Sequence, residues 1–200
     1  MKTPTRLHFG CFNCPLDGWI NTDVTPHIFL SRIPGAAWFL HKAGKIPDKR
    51  HDEHRQGVFK KIRYLNVTKN WPYAEGFLDA IYSSHVVEHL PLRGAERCFA
   101  ESLRCLRPDG ILRIAVPDLD TLIRDYDPAH ALNWAIHFFE AKEQHEKNMH
   151  HFMYNFESIK TLLLKTGFSD VVRCEYRQGR CPDVEKLDNR PASLFIEAFK

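Results

Sequence analysis

Apolar residues along this chain fall into short runs separated by polar turns, and the period of each run says what it forms. Seven runs of β-branched and aromatic residues read as strands: 6–9, 19–23, 61–66, 78–82, 111–116, 171–176 and 193–199. Residues 78–82 stop abruptly at Ser83, Ser84 and His85, so polar groups gather at that strand's carboxyl end. From Ala95, the positions Ala95, Cys98, Phe99, Ser102, Leu103 and Leu106 share one helical face, opposite Glu96, Arg97, Glu101 and Arg104. Pro108, Asp109 and Gly110 supply a turn, and 111–116 is then nearly continuous in apolar residues, as in a strand buried on both faces. A further helix is expected over 156–166, capped by Asn155, apolar at Ile159, Leu162 and Leu163, and stopped by Gly167. Strands alternating with helices predict an α/β fold with a mostly parallel sheet covered on both faces.

Three segments sit outside this alternation. Residues 26–44 read as an amphipathic helix split at Pro34 and Gly35, within a helical insert over 26–59. Residues 129–148 read as a longer helix with Leu132, Ala135, Ile136 and Phe139 on one face, part of a helical stretch over 127–154. Both are placed to roof the carboxyl edge of the sheet. The loop over 177–192 is long enough to be functional or mobile.

Two hundred residues suit one domain, 1–200, able to bury its own core. A formal charge of +3, with basic residues clustered only over 45–63, reads as a solvated face and argues against a nucleic-acid partner. No stretch reads as a signal peptide or a membrane span, so a cytoplasmic protein is expected and its six cysteines are expected as thiols.

Chemistry concentrates where the strands end. After the first strand come Gly10, Cys11, Phe12, Asn13 and Cys14; a glycine there lets backbone approach a ligand, and Asp23 closes the second strand as a bidentate acceptor for ribose hydroxyls. The words LDAIYSSHVVEHL, LRPDG and ILRIAVPDLD, with Gly10, Cys11, Gly18, Trp19, Asn21 and Asp23 before them, resemble class I S-adenosylmethionine-dependent methyltransferases, in particular a group of small predicted bacterial ones. The resemblance implies a Rossmann-like, doubly wound seven-stranded sheet of order 3-2-1-4-5-7-6 with the last strand antiparallel. It implies S-adenosylmethionine as cofactor, S-adenosylhomocysteine as product, and a small-molecule or glycan-type acceptor. Cofactor contacts are then expected from Gly10, Cys11, Phe12, Asp23, Asn66, Ser84 and His85. Phe12 departs from the pattern, which prefers glycine there, and suits a cofactor only with a negative φ and its ring turned away. The first crossover is short, so its helix is expected to be one turn or absent.

Candidate bases are His85 or His89, with Glu88 orienting one of them, and Asp118 at the end of strand five. His150, His151 and Tyr154 are candidate substrate contacts; alternatively His150 and His151 meet His85 and His89 at the pocket in a metal site, or are ordinary helix-end histidines, and no metal ligand is assigned. Two rival readings stand beside this one. Phe12 motivates a non-catalytic binding or partner module, while His85, Glu88 and His89 spell H-x-x-E-H, the signature of an inverted zinc peptidase, though directly after a strand and just before Pro91. Cys11 and Cys14 form a lone C-x-x-C that reads as incidental.

Overall fold

The computed structural model describes residues 5–141 and 149–200. Its sheet has seven strands, β1 (Arg6–Phe9), β2 (Ile20–Asp23), β3 (Arg63–Tyr64), β4 (Leu78–Ser84), β5 (Leu106–Pro117), β6 (Asp170–Cys174) and β7 (Ser193–Phe199), in the order β3-β2-β1-β4-β5-β7-β6. Strands β3, β2, β1, β4 and β5 pair in parallel, while β7 runs antiparallel to both β5 and β6. The expected topology is therefore the observed one. The third strand is much shorter than expected, two residues in place of 61–66, because Val58–Lys61 instead closes a 3₁₀ turn. β5 starts earlier than expected: Leu106 pairs with Leu78 before the 107–110 turn, and pairing resumes at Ile111 opposite Ala80.

Side chains alternate across this sheet, and the two faces are covered differently. Leu7, Phe9, Ile81, Leu112, Ile114 and Val116 pack with Ala95, Cys98 and Phe99 of α4 (Leu92–Cys105) and with Ile159 and Leu163 of α7 (Phe156–Thr166). α7 begins and ends as its sequence predicts: Asn155 and Ser158 form a reciprocal capping box, and Gly167 is left-handed. The opposite face carries Ala80, Tyr82 and Ile111, and no long helix among the described residues covers it. Residues 10–19 cross from β1 to β2 without any helix, and the loop between β6 and β7 fills the space, packing Cys181, Val184 and Leu187 beside Trp19.

That loop carries the short α8 (Val184–Leu187) and is tied down at two places. Asp183 accepts hydrogen bonds from Arg6 Nη1 at 2.8 Å and Trp19 Nε1 at 3.0 Å. Deeper, Arg113 donates to Asp188 Oδ2 at 2.6 Å and to Glu197 Oε1 at 3.0 Å, with all three side chains at most 1% exposed. Gly179 passes so close that a Cβ would collide with Glu197 Oε1. A loop that length alone marked as functional or mobile is thus a packed cover for the sheet.

The two roof segments are less buried than their patterns predict. Residues 26–44 split as expected into α1 (His27–Leu30) and α2 (Ala36–Lys42), followed by α3 (Asp48–Arg55). Only Ile28 of α1 is buried, and Phe29, Ile33, Trp38 and Phe39 are all exposed. After α5 (Leu119–Arg124), α6 spans Ala131–Phe138, shorter than the expected helix, whose end over 142–148 lies outside the described residues. Leu132 and Phe139, expected on a packed face, are also exposed. No helix among the described residues is long and apolar enough to cross a membrane.

Candidate functional site

β1 has β2 on one side and β4 on the other, so the loop leaving β1 opens at the point where the strand order reverses. Phe9 pairs with Thr22 and with Ser83, which sets Gly10 between the ends of β2 and β4. Gly10 has φ +71°, and a Cβ there would lie well inside van der Waals contact with Val86 Cγ2. Only glycine lets the loop pass β4 this closely. The crossover is shaped by Asn21, whose side-chain oxygen accepts from Leu16 N at 2.9 Å and whose amide donates to the Leu16 and Trp19 carbonyls.

Asp23 organises the loop from the β2 side. Its two carboxylate oxygens accept hydrogen bonds from Phe12 N at 3.0 Å and Thr25 N at 2.7 Å. Phe12 itself does not meet the condition of a negative φ that a cofactor contact there requires. It keeps φ +44°, the backbone state that favours glycine, with the Arg50 guanidinium 4.4 Å above its ring and Phe59 edge-on at 6.3 Å. The aromatic ring is thereby held by α3 and the 3₁₀ turn after it, a small cation–π gain set against left-handed strain of about 1 kcal/mol or more.

A cavity of about 290 Å³ lies against this loop, lined among others by His8, Gly10, Phe12, Ser84, Leu187 and Arg190. Its outer wall is the β6–β7 loop, which nothing in the sequence placed there. Asp23 reaches the cavity's edge through the Phe12 N–H, whereas Asn66 lies apart. The Asn66 side-chain oxygen accepts from Thr68 N and Thr68 Oγ1, closing a turn of its own. A larger surface groove of about 610 Å³ runs over α4 between Thr68 and Ala100 and contains none of the expected site residues.

His8 is the one histidine in the cavity wall, 6% exposed and edge-on to Tyr82 at 5.2 Å. Burial pushes its pKa down from 6.5 to about 4. Above 6.5 both folded and unfolded chains hold it neutral; between 6.5 and 4 only the unfolded chain takes the proton. Stability attributable to this group therefore falls as pH drops through that window, by about 2 kcal/mol at pH 5. The melting temperature should fall between pH 7 and pH 5, and less so in His8→Gln; equal falls in the two proteins would contradict this assignment.

At the end of β4, His85 has φ +54°, its Nε2 lies 2.8 Å from Ser193 Oγ, and its Nδ1 is 3.1 Å from Glu88 Oε1. H-x-x-E-H does not lie on an α-helix: Val87–His89 is a single 3₁₀ turn. His85 and His89 therefore lack the shared helical face that the peptidase motif requires. His89 instead meets His150, ring centroids 4.9 Å apart. Glu88 is fully buried, and its backbone carbonyl accepts from His151 N at 2.7 Å. The His151 side chain is exposed, whereas Tyr154 is fully buried with a hydroxyl that has no hydrogen-bond partner. Asp118 is committed elsewhere, capping α5 through Asp120 N and pairing with Arg173 at 2.9 Å. Cys11 is buried and Cys14 exposed; burial first and the nearby Asp23 charge second raise the Cys11 pKa, the opposite of a reactive thiol.

Comparison with known proteins agrees with this geometry. Residues 44–114 match the model of a family described as "Methyltransferase domain". Among solved structures, the chain is similar to the CMeT domain of the citrinin polyketide synthase (TM-score 0.53, 16% identity, 98% of this chain and 46% of that one). It is similar to a possible histamine N-methyltransferase from Thermotoga maritima (TM-score 0.53, 14% identity, 100% of this chain and 84% of that one). PigF, solved with SAH, also aligns (TM-score 0.53, 13% identity, 98% and 50%). This chain thus spans about half the length of two of these three proteins. A search of curated proteins found no match. In its sheet order and its fold neighbours the chain has the Rossmann-like fold of class I methyltransferases, and residues 44–114 match a methyltransferase-domain family.

Proposed function

We propose that the chain binds S-adenosylmethionine at the carboxyl edge of β1 and β4 and transfers its methyl group to a small-molecule or glycan-type acceptor. One observation carries this reading: the Gly10–Phe12 loop, held by the Asp23 carboxylate, faces Ser84 across the switch point with a cavity alongside. Phe12, with its positive φ, does not meet the condition set for a cofactor contact, but the other residues of the loop and its surroundings suit the cofactor. Gly10 keeps the loop against β4, Asp23 supplies a carboxylate beside the loop for the ribose, and Ser84 offers a hydroxyl on the cavity wall. Asn66, already used in its own turn, is a weaker candidate for the adenine.

The cofactor supplies a methyl group on a positively charged sulfur, which leaves as a neutral thioether and needs no proton. The protein's task is alignment and exclusion of water, which carry most of the rate in such a reaction. A base matters only for an acceptor that must lose a proton. His85 is the best placed of the candidates: Ser193 Oγ fixes its ring through Nε2, and Nδ1 lies beside the Glu88 carboxylate without a hydrogen bond. His150, half-buried beside His89, is the best placed of the proposed acceptor contacts.

Calorimetric titration with S-adenosylmethionine and S-adenosylhomocysteine tests the reading. Micromolar binding is expected, weakened roughly tenfold or more in Asp23→Asn, which removes a charged acceptor. Phe12 favours a second reading, a module that keeps the fold without the chemistry, because its φ of +44° is retained where glycine would be unstrained. Binding of neither compound at millimolar concentration would select that second reading.

A further inference from the structure

We infer that Glu88, His89 and His150 form a binding site for a divalent transition-metal ion of the zinc class. One ligand atom from each residue lies within 4.8 Å of the other two. The three come from two separate parts of the chain: the turn after β4 and the segment that leads into α7. The sequence offered His85 with Glu88 and His89, and His150 and His151 meeting His85 and His89. The fold keeps His85 beside Glu88 but gathers Glu88, His89 and His150 into the cluster.

Three features make the cluster a ligand set and not a chance meeting. Among the described residues both carboxylate oxygens of Glu88 are buried with no hydrogen-bond partner, and the side chain is 0% exposed. His85 Nδ1 comes to 3.1 Å from one of them, but without the alignment of a hydrogen bond. A buried acceptor left this way costs about 1–3 kcal/mol, and more if charged, so a cation is the group it lacks. Next, each histidine has its Nδ1 occupied by a backbone carbonyl: His89 by Met149 O at 3.3 Å and His150 by Phe138 O at 2.8 Å. That pattern favours the tautomer protonated on Nδ1 and leaves Nε2 of both rings without a hydrogen bond among the described residues, the arrangement found around bound metals. Finally, the segment carrying His150 is already latched to the turn carrying Glu88, because the Glu88 carbonyl accepts from His151 N at 2.7 Å and Phe152 N at 3.2 Å.

One carboxylate oxygen and two imidazole nitrogens suit zinc and its neighbours, and they disfavour magnesium or calcium, which prefer all-oxygen shells. Ligand atoms around tetrahedral zinc stand roughly 3.3 Å apart, so the three need to close by no more than about 1.5 Å, within reach of side-chain rotation. Three protein ligands leave a fourth position open, as in sites where metal meets a small ligand. Tyr154, whose buried hydroxyl also lacks a partner, feels the charge of Glu88 from the neighbouring wall. The site uses no residue of the Gly10–Asp23 loop, so it does not depend on cofactor binding, although it shares Glu88 and His150 with the base and acceptor positions proposed above.

The test is a titration of the untagged, chelator-treated full chain with zinc, and separately with cobalt(II), read by calorimetry and visible absorption. One zinc per chain is expected at micromolar affinity or tighter, with cobalt giving the intense bands of a four-coordinate ion. Glu88→Gln and His150→Asn should each weaken zinc roughly tenfold or more. His41→Asn, in a stacked histidine pair 4.3 Å from His51, should leave the isotherm unchanged. His150 is only half-buried, so His150→Asn decides the matter if Glu88→Gln fails to fold. Zinc bound equally well by both ligand variants, lost in His41→Asn, or not bound by the parent chain would overturn the site. Titration with S-adenosylhomocysteine in the same preparations keeps the fate of this site separate from that of the methyltransferase reading.

Discussion

Arg113→Met should lower the stability of the chain by about 3–5 kcal/mol, the largest effect expected of any single substitution away from the cavity. Arg113 is the only charge in the run Ile111–Val116, and it is held between Asp188 and Glu197 with none of the three more than 1% exposed. Removing the guanidinium leaves two carboxylates in a dry interior without a countercharge. It also strips the donor from the carbonyls of Glu175 and Gln178. Domains of this kind unfold with a total of about 5–15 kcal/mol, so the variant should be marginal at room temperature. The cause is charge left over, not lost contact area. A triple variant, Arg113→Met with Asp188→Asn and Glu197→Gln, should therefore be more stable than Arg113→Met alone, because no unpaired charge is left. The Glu197 carboxylate bonds the N–H groups of Arg180 and Cys181 through separate oxygens, and the single oxygen of the amide put in its place still accepts from one of the two. Urea midpoints measure both. A triple variant less stable than the single one would show that the network acts through packing and not through charge.

The second large effect belongs to Gly10. Gly10→Ala drives a methyl group into Val86 Cγ2 on a backbone at φ +71°, so the loop or the end of β4 has to move. Overpacking of that kind costs about 1–3 kcal/mol, and the left-handed backbone adds about 1 kcal/mol. Displacing the loop also displaces the Phe12 N–H from Asp23. S-adenosylhomocysteine affinity should fall tenfold or more. Val86→Ala removes the obstructing carbon, and the double variant Gly10→Ala with Val86→Ala should recover part of both losses. A double-mutant cycle should then give a coupling of about 0.5–3 kcal/mol. Strict additivity would mean that the loop and β4 do not press on one another.

These two sites differ in how well the sequence announced them. Gly10, Asp23 and the abrupt end of β4 at Ser83–His85 were legible because strand ends, glycines and carboxylates have local causes. α7 was legible at both ends for the same reason. Its cap and its stop are written within four residues of each boundary. The Arg113 network was not read, although a lone arginine inside a strand buried on both faces is itself a signal that acidic partners must be waiting elsewhere. Which partners they are depends on β7 pairing antiparallel with β5, placing Arg113 opposite Glu197. The same limit explains the histidines. His85, Glu88 and His89 look like one motif on paper, but the 3₁₀ turn at 87–89 directs Glu88 and His89 toward His150, some sixty residues later in the chain. Phe12 shows a third kind of limit: its positive φ is imposed by the turn and by Asp23, against the residue's own preference.

A parallel crossover with no helix of its own has a consequence for the order in which the chain matures. The face of β1 that a following helix would ordinarily cover is closed by Asp183 and Leu187, bonded to Arg6, Trp19 and Tyr82 across more than a hundred residues of sequence. During synthesis at about 5–20 residues per second, the first strands must therefore wait with one side open until the region around 183–197 has emerged. Contacts of such long span are slow to form. The loop after β1, although it lies far earlier in the sequence than residues 183–197, gains its walls only after they have emerged.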